Sequence, residues 1–291
     1  MRVDPQSGIR EEAAFFGPPG RRLLTIAHLP PGPPRGGVLI CSPTQAELMK
    51  NYRKEVLLAR ALAERGFATQ RFQYRGTGNS EGANEDVTFH SMLEDTQAVA
   101  EWFLQRLAGR PTALVATRLG AVVAAAAAAA WPGIPLALWE PITDTSRYFR
   151  EAFRFRLMYE LGQGGEDPHP STEKLLRQLM TSGLVDVVGF AIYKPLYESM
   201  LGLTLLEALG EVPRPLLFVQ VGRGSQLRGE YASLGDRLRA AGFAIEHALV
   251  EGDAAWWFDN AEGDLARQDL IGTTCDWLER RLSSPKLEEV M

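Results

Sequence analysis

Residues 114–121 constrain the fold most, because they place a tight turn between two stretches of different periodicity. A short apolar run at residues 113–115 is typical of a strand, and an alanine-rich run at residues 121–130 is typical of a helix. The five residues between them are Ala116-Thr117-Arg118-Leu119-Gly120. Strand, sharp turn and helix in this order are typical of one unit of an α/β sheet, with Arg118 at the turn.

The rest of the chain alternates between short β-like runs and helical periods. This alternation predicts an α/β fold with a mostly parallel central sheet and helices on both faces. The predicted strands cover residues 22–27, 37–41, 68–74, 112–115, 136–139, 216–221 and 244–250. The predicted helices cover residues 50–65, 90–107, 121–130, 226–241 and 265–282.

The alternation stops between residues 146 and 210, where no stretch has convincing strand character. Helical spacing returns over residues 147–161, 171–180 and 196–209. A helical insertion of this size predicts a cap over the carboxyl ends of the strands, where open parallel sheets bind ligands. We therefore expect a core of residues 1–145 and 211–291 and a helical cap of residues 146–210.

Composition disfavours several classes of function. The 291 residues carry a net charge of −5 and scattered basic side chains, which disfavours binding to nucleic acid or anionic lipid. Two distant cysteines fit no metal-ligand spacing, so we expect no metal, no cofactor and a reducing, cytoplasmic location. Residues 1–16 lack the apolar region of a secretion signal. The longest uncharged run is interrupted at Pro132 and Pro135, and its helical part is too short to cross a membrane.

Several motifs, taken in order, resemble the α/β-hydrolase superfamily over residues 22–282. The motifs of the broader resemblance are the loop at Pro43, the glycine-rich loop of residues 75–82 and the turn at Arg118. A second set of residues resembles, more specifically, the serine-aminopeptidase-like and exosortase-associated branch of this superfamily. The set consists of Glu47, Asn51, Arg53, residues 118–121, residues 138–142 and the Trp256–Trp257 pair. The resemblance implies an α/β-hydrolase fold whose helical cap follows the strand after the elbow helix.

The resemblance also implies a catalytic triad, and this chain departs from it at each position. The turn corresponds to the nucleophile elbow, G-x-S-x-G, but Arg118 stands at the serine position. A guanidinium stays protonated and cannot attack a carbonyl. The implied acid position, on residues 222–225, has no carboxylate, and the implied histidine position, within residues 251–257, has no histidine. The sequence therefore predicts a degenerate triad and a candidate pseudoenzyme.

Substitute catalytic residues remain open alternatives. Cys41 follows a strand near the cleft, although a lone cysteine at a strand end is usually a small core residue. Glu140 and Asp253 are candidates for non-hydrolytic acid–base chemistry. None of the four histidines is obviously placed to activate a nucleophile. They are His28, His90, His169 and His247.

Arg118 has two alternative roles. It could pair with Glu47, Glu140 or Asp253 and fill the former catalytic space. Alternatively, it could act with the helix N-terminus to hold the carboxylate or phosphate of a ligand. The expected ligand is a small acyl or anionic molecule in the cleft under the cap. The expected binding residues are Arg118, Leu119, Pro43, Glu47, Trp256 and Trp257. Four further aromatic side chains either line the cleft or pack in the core: Tyr148, Phe149, Phe153 and Phe155.

Three functions fit this pattern. The first is a degenerate hydrolase or accessory protein that binds an acyl- or ester-type molecule, with a protein partner or a second copy of the chain as further candidates. The second is an enzyme that uses the same scaffold through an unrecognised nucleophile or acid–base chemistry. The third is an active esterase, thioesterase or peptidase with a non-standard constellation. The site residues favour the first function, because function follows the site rather than the fold.

Overall fold

The computed structural model describes residues 1–164, 171–252 and 264–283. The strands are β1 Arg2–Val3, β2 Arg10–Phe16, β3 Leu23–Leu29, β4 Gly36–Cys41, β5 Phe67–Phe72, β6 Thr112–Thr117, β7 Leu136–Trp139, β8 Leu184–Val187, β9 Phe190–Tyr193, β10 Pro215–Gly222 and β11 Ala244–Glu251. The helices are α1 Gln45–Glu64, α2 Phe89–Leu107, α3 Gly120–Ala127, α4 Thr145–Gly162, α5 Thr172–Ser182, α6 Lys194–Met200, α7 Leu205–Leu209, α8 Gly229–Ala240 and α9 Asp264–Ser283.

In the described part of the chain, nine strands form one sheet in the order β1-β2-β3-β5-β4-β6-β7-β10-β11. From β5 to β11 along this order the neighbouring strands are parallel, whereas β1, β2 and β3 form an antiparallel edge that joins β5. All six residues of β4 are buried, as expected for a parallel strand covered on both faces. The predicted α/β class with a mostly parallel sheet is confirmed.

Two apolar cores lie on the two faces of the sheet, because successive side chains of a strand point in opposite directions. Leu39 packs in the core that includes side chains of α2, α3 and α8. Val38 and Ile40 pack in the other core, which includes side chains of α1 and α9. This arrangement gives the central strands continuous apolar sequences without alternation.

The order of the strands creates a topological switch point in the sheet. β4 lies between β5 and β6, so the chain runs to one side of β4 first and to the other side afterwards. The carboxyl ends of β4 and β6 therefore flank a topological switch point, the usual ligand site of an open parallel sheet. Cys41 and Thr117 end these two strands, and Arg118 follows directly.

The prediction that residues 146–210 contain no strand is wrong. β8 and β9 pair as an antiparallel hairpin in this segment. Its two-residue loop, Val188 and Gly189, has φ angles of 54° and 86°, the left-handed conformation that a type I′ turn requires. The two strands have four residues each, too few for an alternating pattern to be recognised in the sequence.

Two further differences concern element boundaries. The helix predicted over residues 196–209 is two short helices, α6 and α7, because Gly202 between them has a φ of 83°. The first 16 residues, for which the sequence predicts no strand, supply β1 and β2 of the antiparallel edge. Among the described residues, every helix is too short or too polar to cross a membrane.

Candidate functional site

Arg118 lies at the apex of the turn between β6 and α3, as the sequence predicts. Its φ of 52° is left-handed, a conformation that costs a non-glycine residue about 1–2 kcal/mol. Backbone hydrogen bonds hold it there: the Arg118 N–H donates to the Trp139 carbonyl at 2.9 Å, and its carbonyl accepts from the Ala121 N–H at 3.0 Å. Strain of this kind persists where the surrounding structure fixes it, which is common at functional sites.

Gly120 allows the elbow to approach the end of β4. A Cβ atom at this position would lie 2.5 Å from the Ser42 carbonyl oxygen and 2.9 Å from that of Cys41. Only glycine permits such a close backbone approach. The glycine therefore brings the first turn of α3 against the loop that follows β4.

The Arg118 side chain is buried against Glu47. The exposed fractions of the two residues are 7% and 5%, and Arg118 Nε donates to Glu47 Oε1 at 3.1 Å. Burial raises the pKa of the Glu47 carboxyl, and the neighbouring guanidinium opposes this rise. Of the three predicted partners, the structure thus brings Glu47 to Arg118. Asp253 lies outside the described residues.

Glu140 contacts Arg118 through its backbone carbonyl. Its carbonyl oxygen accepts from Arg118 Nη1 at 3.5 Å, while its carboxylate is occupied elsewhere. Oε1 accepts from the Val221 N–H at 2.6 Å, and both carboxylate oxygens contact the Arg228 guanidinium. Tyr231 OH donates to Oε2 at 3.3 Å. Glu140 is fully buried and is therefore the centre of a structural network at the end of β7, in which Arg228 is half-buried.

An open cleft of about 270 Å³ lies beside the elbow. Its lining includes Arg118, Arg147, Tyr148, Arg228, Glu230 and Tyr231. Arg147 contacts Glu230 at 2.8 Å. Each arginine of the cleft therefore faces a carboxylate, and the cleft carries compensated charge.

A second cavity, of about 40 Å³, lies on the other side of Tyr148. Glu47 and Leu119, two of the predicted binding residues, contribute to its lining, together with Thr44 and Phe149. Pro43 is buried in the loop before α1. Trp256 and Trp257 lie outside the described residues.

Comparison with known proteins identifies the architecture. Residues 32–175 match the family described as serine aminopeptidase, S33. The chain has the α/β-hydrolase fold. Its described sheet order, sharp elbow and inserted helices agree with this fold. The family match covers just under half of the chain and supports the serine-aminopeptidase-like resemblance, whereas the exosortase-associated part stays a prediction.

Solved α/β-hydrolase-fold structures resemble the chain over nearly its whole length. Est1E from Butyrivibrio proteoclasticus, solved with ferulic acid bound, is 15% identical, with a TM-score of 0.60 over 91% of this chain and 99% of Est1E. A thermostable carboxyl esterase from Bacillus coagulans is 14% identical, with a TM-score of 0.60 over 94% and 99% of the two chains. XC6422 from Xanthomonas campestris, a serine hydrolase without a lid, is 18% identical, with a TM-score of 0.55 over 98% and 100%. A comparison with curated proteins found no match.

The histidines that the structure describes lie away from the hydrolase elbow. His28 is buried between Arg71 and Glu11, His90 is exposed at the start of α2, and His247 contacts Arg239. His169 lies outside the described residues. None of the three described histidines contributes to the lining of either cavity.

Cys41, the candidate nucleophile named from the sequence, and the neighbouring Ser42 are both buried. Cys41 is fully buried in a core, and burial raises the pKa of its thiol far above the ordinary range, which disfavours the reactive thiolate. Ser42 Oγ donates to buried Glu55 at 2.7 Å. Among the described residues, no group of three His, Cys, Asp or Glu side chains is arranged to hold a metal ion.

Sequence reasoning missed Thr44, Arg228 and Tyr231. Arg228 lies 88 residues from Glu140, and nothing in the local sequence connects the two. Thr44 had a recognisable signal, since Thr44-x-x-Glu47 is the pattern of a helix capping box.

Proposed function

We propose that this α/β-hydrolase-fold protein binds a small acyl- or ester-type molecule without Ser-His-Asp chemistry. The observation that carries the proposal is the position of Arg118, buried at the elbow apex and paired with Glu47. A protonated guanidinium offers no lone pair to a carbonyl carbon. The elbow of this protein is therefore a binding surface rather than a source of a nucleophile.

The charges of the cleft favour a neutral ligand. Arg118, Arg147 and Arg228 each contact a carboxylate, so a ligand anion would have to compete with an existing ion pair. The cleft volume of about 270 Å³ suits a small molecule, and Tyr148 and Tyr231 offer apolar ring surface with a polar end. An ester or acyl group matches this environment better than a phosphate.

Residues 146–210 act as the cap in this proposal. Arg147, Tyr148 and Glu151 of α4 line the cleft together with Arg118 and Ile142 of the core. A ligand there would contact both parts, as expected for a site between a parallel sheet and an insertion.

The alternative function is an active esterase, thioesterase or peptidase-like hydrolase with a non-standard constellation. The similarity in fold to a carboxyl esterase favours it. The alternative requires an activated nucleophile and a base within hydrogen-bond reach of each other.

A panel of p-nitrophenyl esters, from acetate to octanoate, tests both functions with the same ligands. We expect the esters to raise the melting temperature while hydrolysis stays at the rate of buffer alone. Thr143→Trp is the control, because it places a large side chain in the cleft wall and removes no charged group. It also removes the hydrogen bond from Thr143 to Glu230, and it should abolish the thermal shift. Saturable hydrolysis by the wild type that Thr143→Trp removes would support the alternative function.

A further inference from the structure

The C-terminal end of α4 exposes a cluster of large apolar side chains. Met158, Tyr159 and Leu161 have exposed fractions of 72%, 47% and 61%. Among the described residues, no other stretch of four residues exposes three large apolar side chains. Single exposed apolar residues are ordinary on a protein surface, whereas a cluster of them marks a candidate binding surface. The end of α4 is therefore a candidate for contact with a partner.

Two of these side chains share one face of α4 with two arginines. Arg150, Arg154, Met158 and Leu161 follow one another at intervals of four, four and three residues, and all of them are exposed. Residues at this spacing lie on the same side of an α-helix. We call these four residues the outer stripe of α4. The stripe has cations near the middle of the helix and apolar side chains at its C-terminal end.

The arginines of the outer stripe carry charge that α4 does not compensate. The helix has four arginines and two glutamates, and both glutamates contact arginines outside the stripe. These pairs are Arg147–Glu151 at 2.7 Å and Arg156–Glu160 at 2.8 Å. Within the described part of the chain, Arg150 and Arg154 form no ion pair. The next acidic residues of the sequence, Glu166 and Asp167, lie outside the described residues.

The charge close to a contact decides whether a charged surface attracts the protein. The net charge of −5 disfavours attraction of the whole molecule to anionic lipid. At physiological ionic strength, however, salt screens exposed charges over about 8 Å, so distant carboxylates contribute little at the stripe. Basic side chains that lie beside an anionic surface attract it within this distance. The argument from net charge therefore does not apply to the outer stripe.

The small size of the outer stripe fits a lipid surface better than a folded partner. A stable protein–protein interface takes about 20–30 residues and about 800 Å² from each partner, and the stripe is one face of a single helix. A lipid surface needs no matching shape, because apolar side chains enter the headgroup region and basic side chains stay beside it. Guanidinium groups also bind phosphate oxygens bidentately.

We propose that the outer stripe of α4 docks on a lipid surface with anionic headgroups. Met158 and Leu161 would enter the headgroup region, and Arg150 and Arg154 would contact lipid phosphates. The inference goes beyond the proposed function, because docking needs neither a ligand in the cleft nor turnover. Tyr148 of the same helix lines the cleft, about 15 Å along the helix axis from Met158. Docking would therefore hold the cleft near the lipid surface.

Co-sedimentation of the full chain with sucrose-loaded vesicles measures docking. One set of vesicles is phosphatidylcholine alone, and the other contains about a quarter phosphatidylglycerol. We expect the partition coefficient to be on the order of tenfold higher for the anionic vesicles and to fall when salt rises from about 0.1 M to about 0.5 M. No binding to anionic vesicles, equal binding to both sets or binding that salt leaves unchanged would overturn the proposal.

Two double variants assign docking to the outer stripe. Met158→Ser with Leu161→Ser removes the apolar contacts, and Arg150→Gln with Arg154→Gln removes the cations while keeping good helix formers. Each should lower the partition coefficient for anionic vesicles about tenfold. All four positions are exposed, so we expect wild-type melting temperatures, which thermal unfolding checks. Should one variant fail to fold, the other decides.

Matched double variants elsewhere on the surface are the controls. Leu249→Ser with Val212→Ser changes two exposed apolar side chains, and Arg21→Gln with Arg237→Gln changes the net charge by the same amount as the stripe variant. Both controls should bind anionic vesicles like the wild type. A loss in the controls as large as in the stripe variants would contradict the assignment.

A second copy of the chain is the competing occupant of the outer stripe. Sedimentation velocity without lipid, over a range of protein concentrations, distinguishes the two occupants. We expect the wild type and the variant Met158→Ser with Leu161→Ser to sediment alike. Self-association of the wild type that this variant abolishes would assign the stripe to a protein interface and overturn the proposal.

Discussion

At the scale of single residues, the site depends on the pair formed by Arg118 and Glu47. The sequence places a cation at the elbow and offers three carboxylates, but it does not choose between them. The choice depends on which carboxylate the tertiary structure leaves without another partner. Arg228 contacts the Glu140 carboxylate, whereas the Glu47 carboxylate contacts Arg118. Asp253, the third carboxylate, lies outside the described residues.

We predict that Arg118→Ala lowers the free energy of unfolding by about 3–5 kcal/mol, because it leaves a buried carboxylate without its cation. Urea unfolding measures the change. The double variant Arg118→Ala with Glu47→Gln should recover part of the loss, since it removes the unpaired charge. Arg10→Ala is the control, because Arg10 forms an exposed ion pair with Glu12. This change should lower the free energy of unfolding by no more than about 1 kcal/mol. A loss no larger than that of the control would show that the pair is not a buried ion pair.

Glu55 should make stability depend on pH. Burial raises the pKa of its carboxyl from 4.5 to about 7, while the Ser42 hydrogen bond and the charge of Arg71 oppose the rise. A raised pKa means that the folded state favours the protonated form. The contribution of Glu55 to the free energy of unfolding is therefore complete below about pH 4.5 and is lost as pH rises through about 7.

We predict that Glu55→Gln removes this dependence. Relative to the variant, the wild type should lose about 3 kcal/mol of unfolding free energy between pH 4.5 and 8, as the shift in the pKa of Glu55 implies. Urea unfolding at intervals of one pH unit measures the difference, and Glu12→Gln at a half-buried position of β2 is the control. Parallel pH curves for wild type and Glu55→Gln would refute this prediction.

At the scale of elements, the contact between α3 and the end of β4 positions the elbow. Gly120→Ala should destabilise the protein by about 1–3 kcal/mol, because the new Cβ would lie 2.5 Å from a backbone carbonyl that cannot move without the strand. Gly272→Ala is the matched control in α9, where no atom lies within 4 Å of the new Cβ. That change should stabilise the helix by about 0.5–1 kcal/mol. Thermal unfolding measures both, and effects of the same sign would contradict the packing argument.

The elements also show which parts of the fold a sequence reveals. Long periodic stretches such as α2 and uninterrupted apolar strands such as β4 were predicted within one or two residues. The hairpin of β8 and β9 was not predicted, because its strands pair with each other outside the main sheet and are too short to show an alternating pattern of apolar and polar residues. The break between α6 and α7 follows from one glycine whose φ cannot be inferred from its neighbours.

At the scale of the whole molecule, the order of motifs along the chain was sufficient to predict the α/β-hydrolase fold. The proposed ligand site agrees with this fold, since the topological switch point of the sheet lies at the carboxyl ends of β4 and β6. The network around Glu140 could not be predicted from the sequence, because Arg228 and Tyr231 reach it from distant parts of the chain. Local sequence therefore predicts the architecture well and the partners of buried charges poorly.

The fold and the site together predict a scaffold that resembles a hydrolase but has no activated nucleophile at its elbow. Intact-mass spectrometry after incubation with excess fluorophosphonate tests this most directly, because the reagent labels activated serines whatever their substrate. We expect the wild-type mass to remain unchanged over hours. A single stoichiometric adduct that maps to one serine beside the cleft would contradict the account.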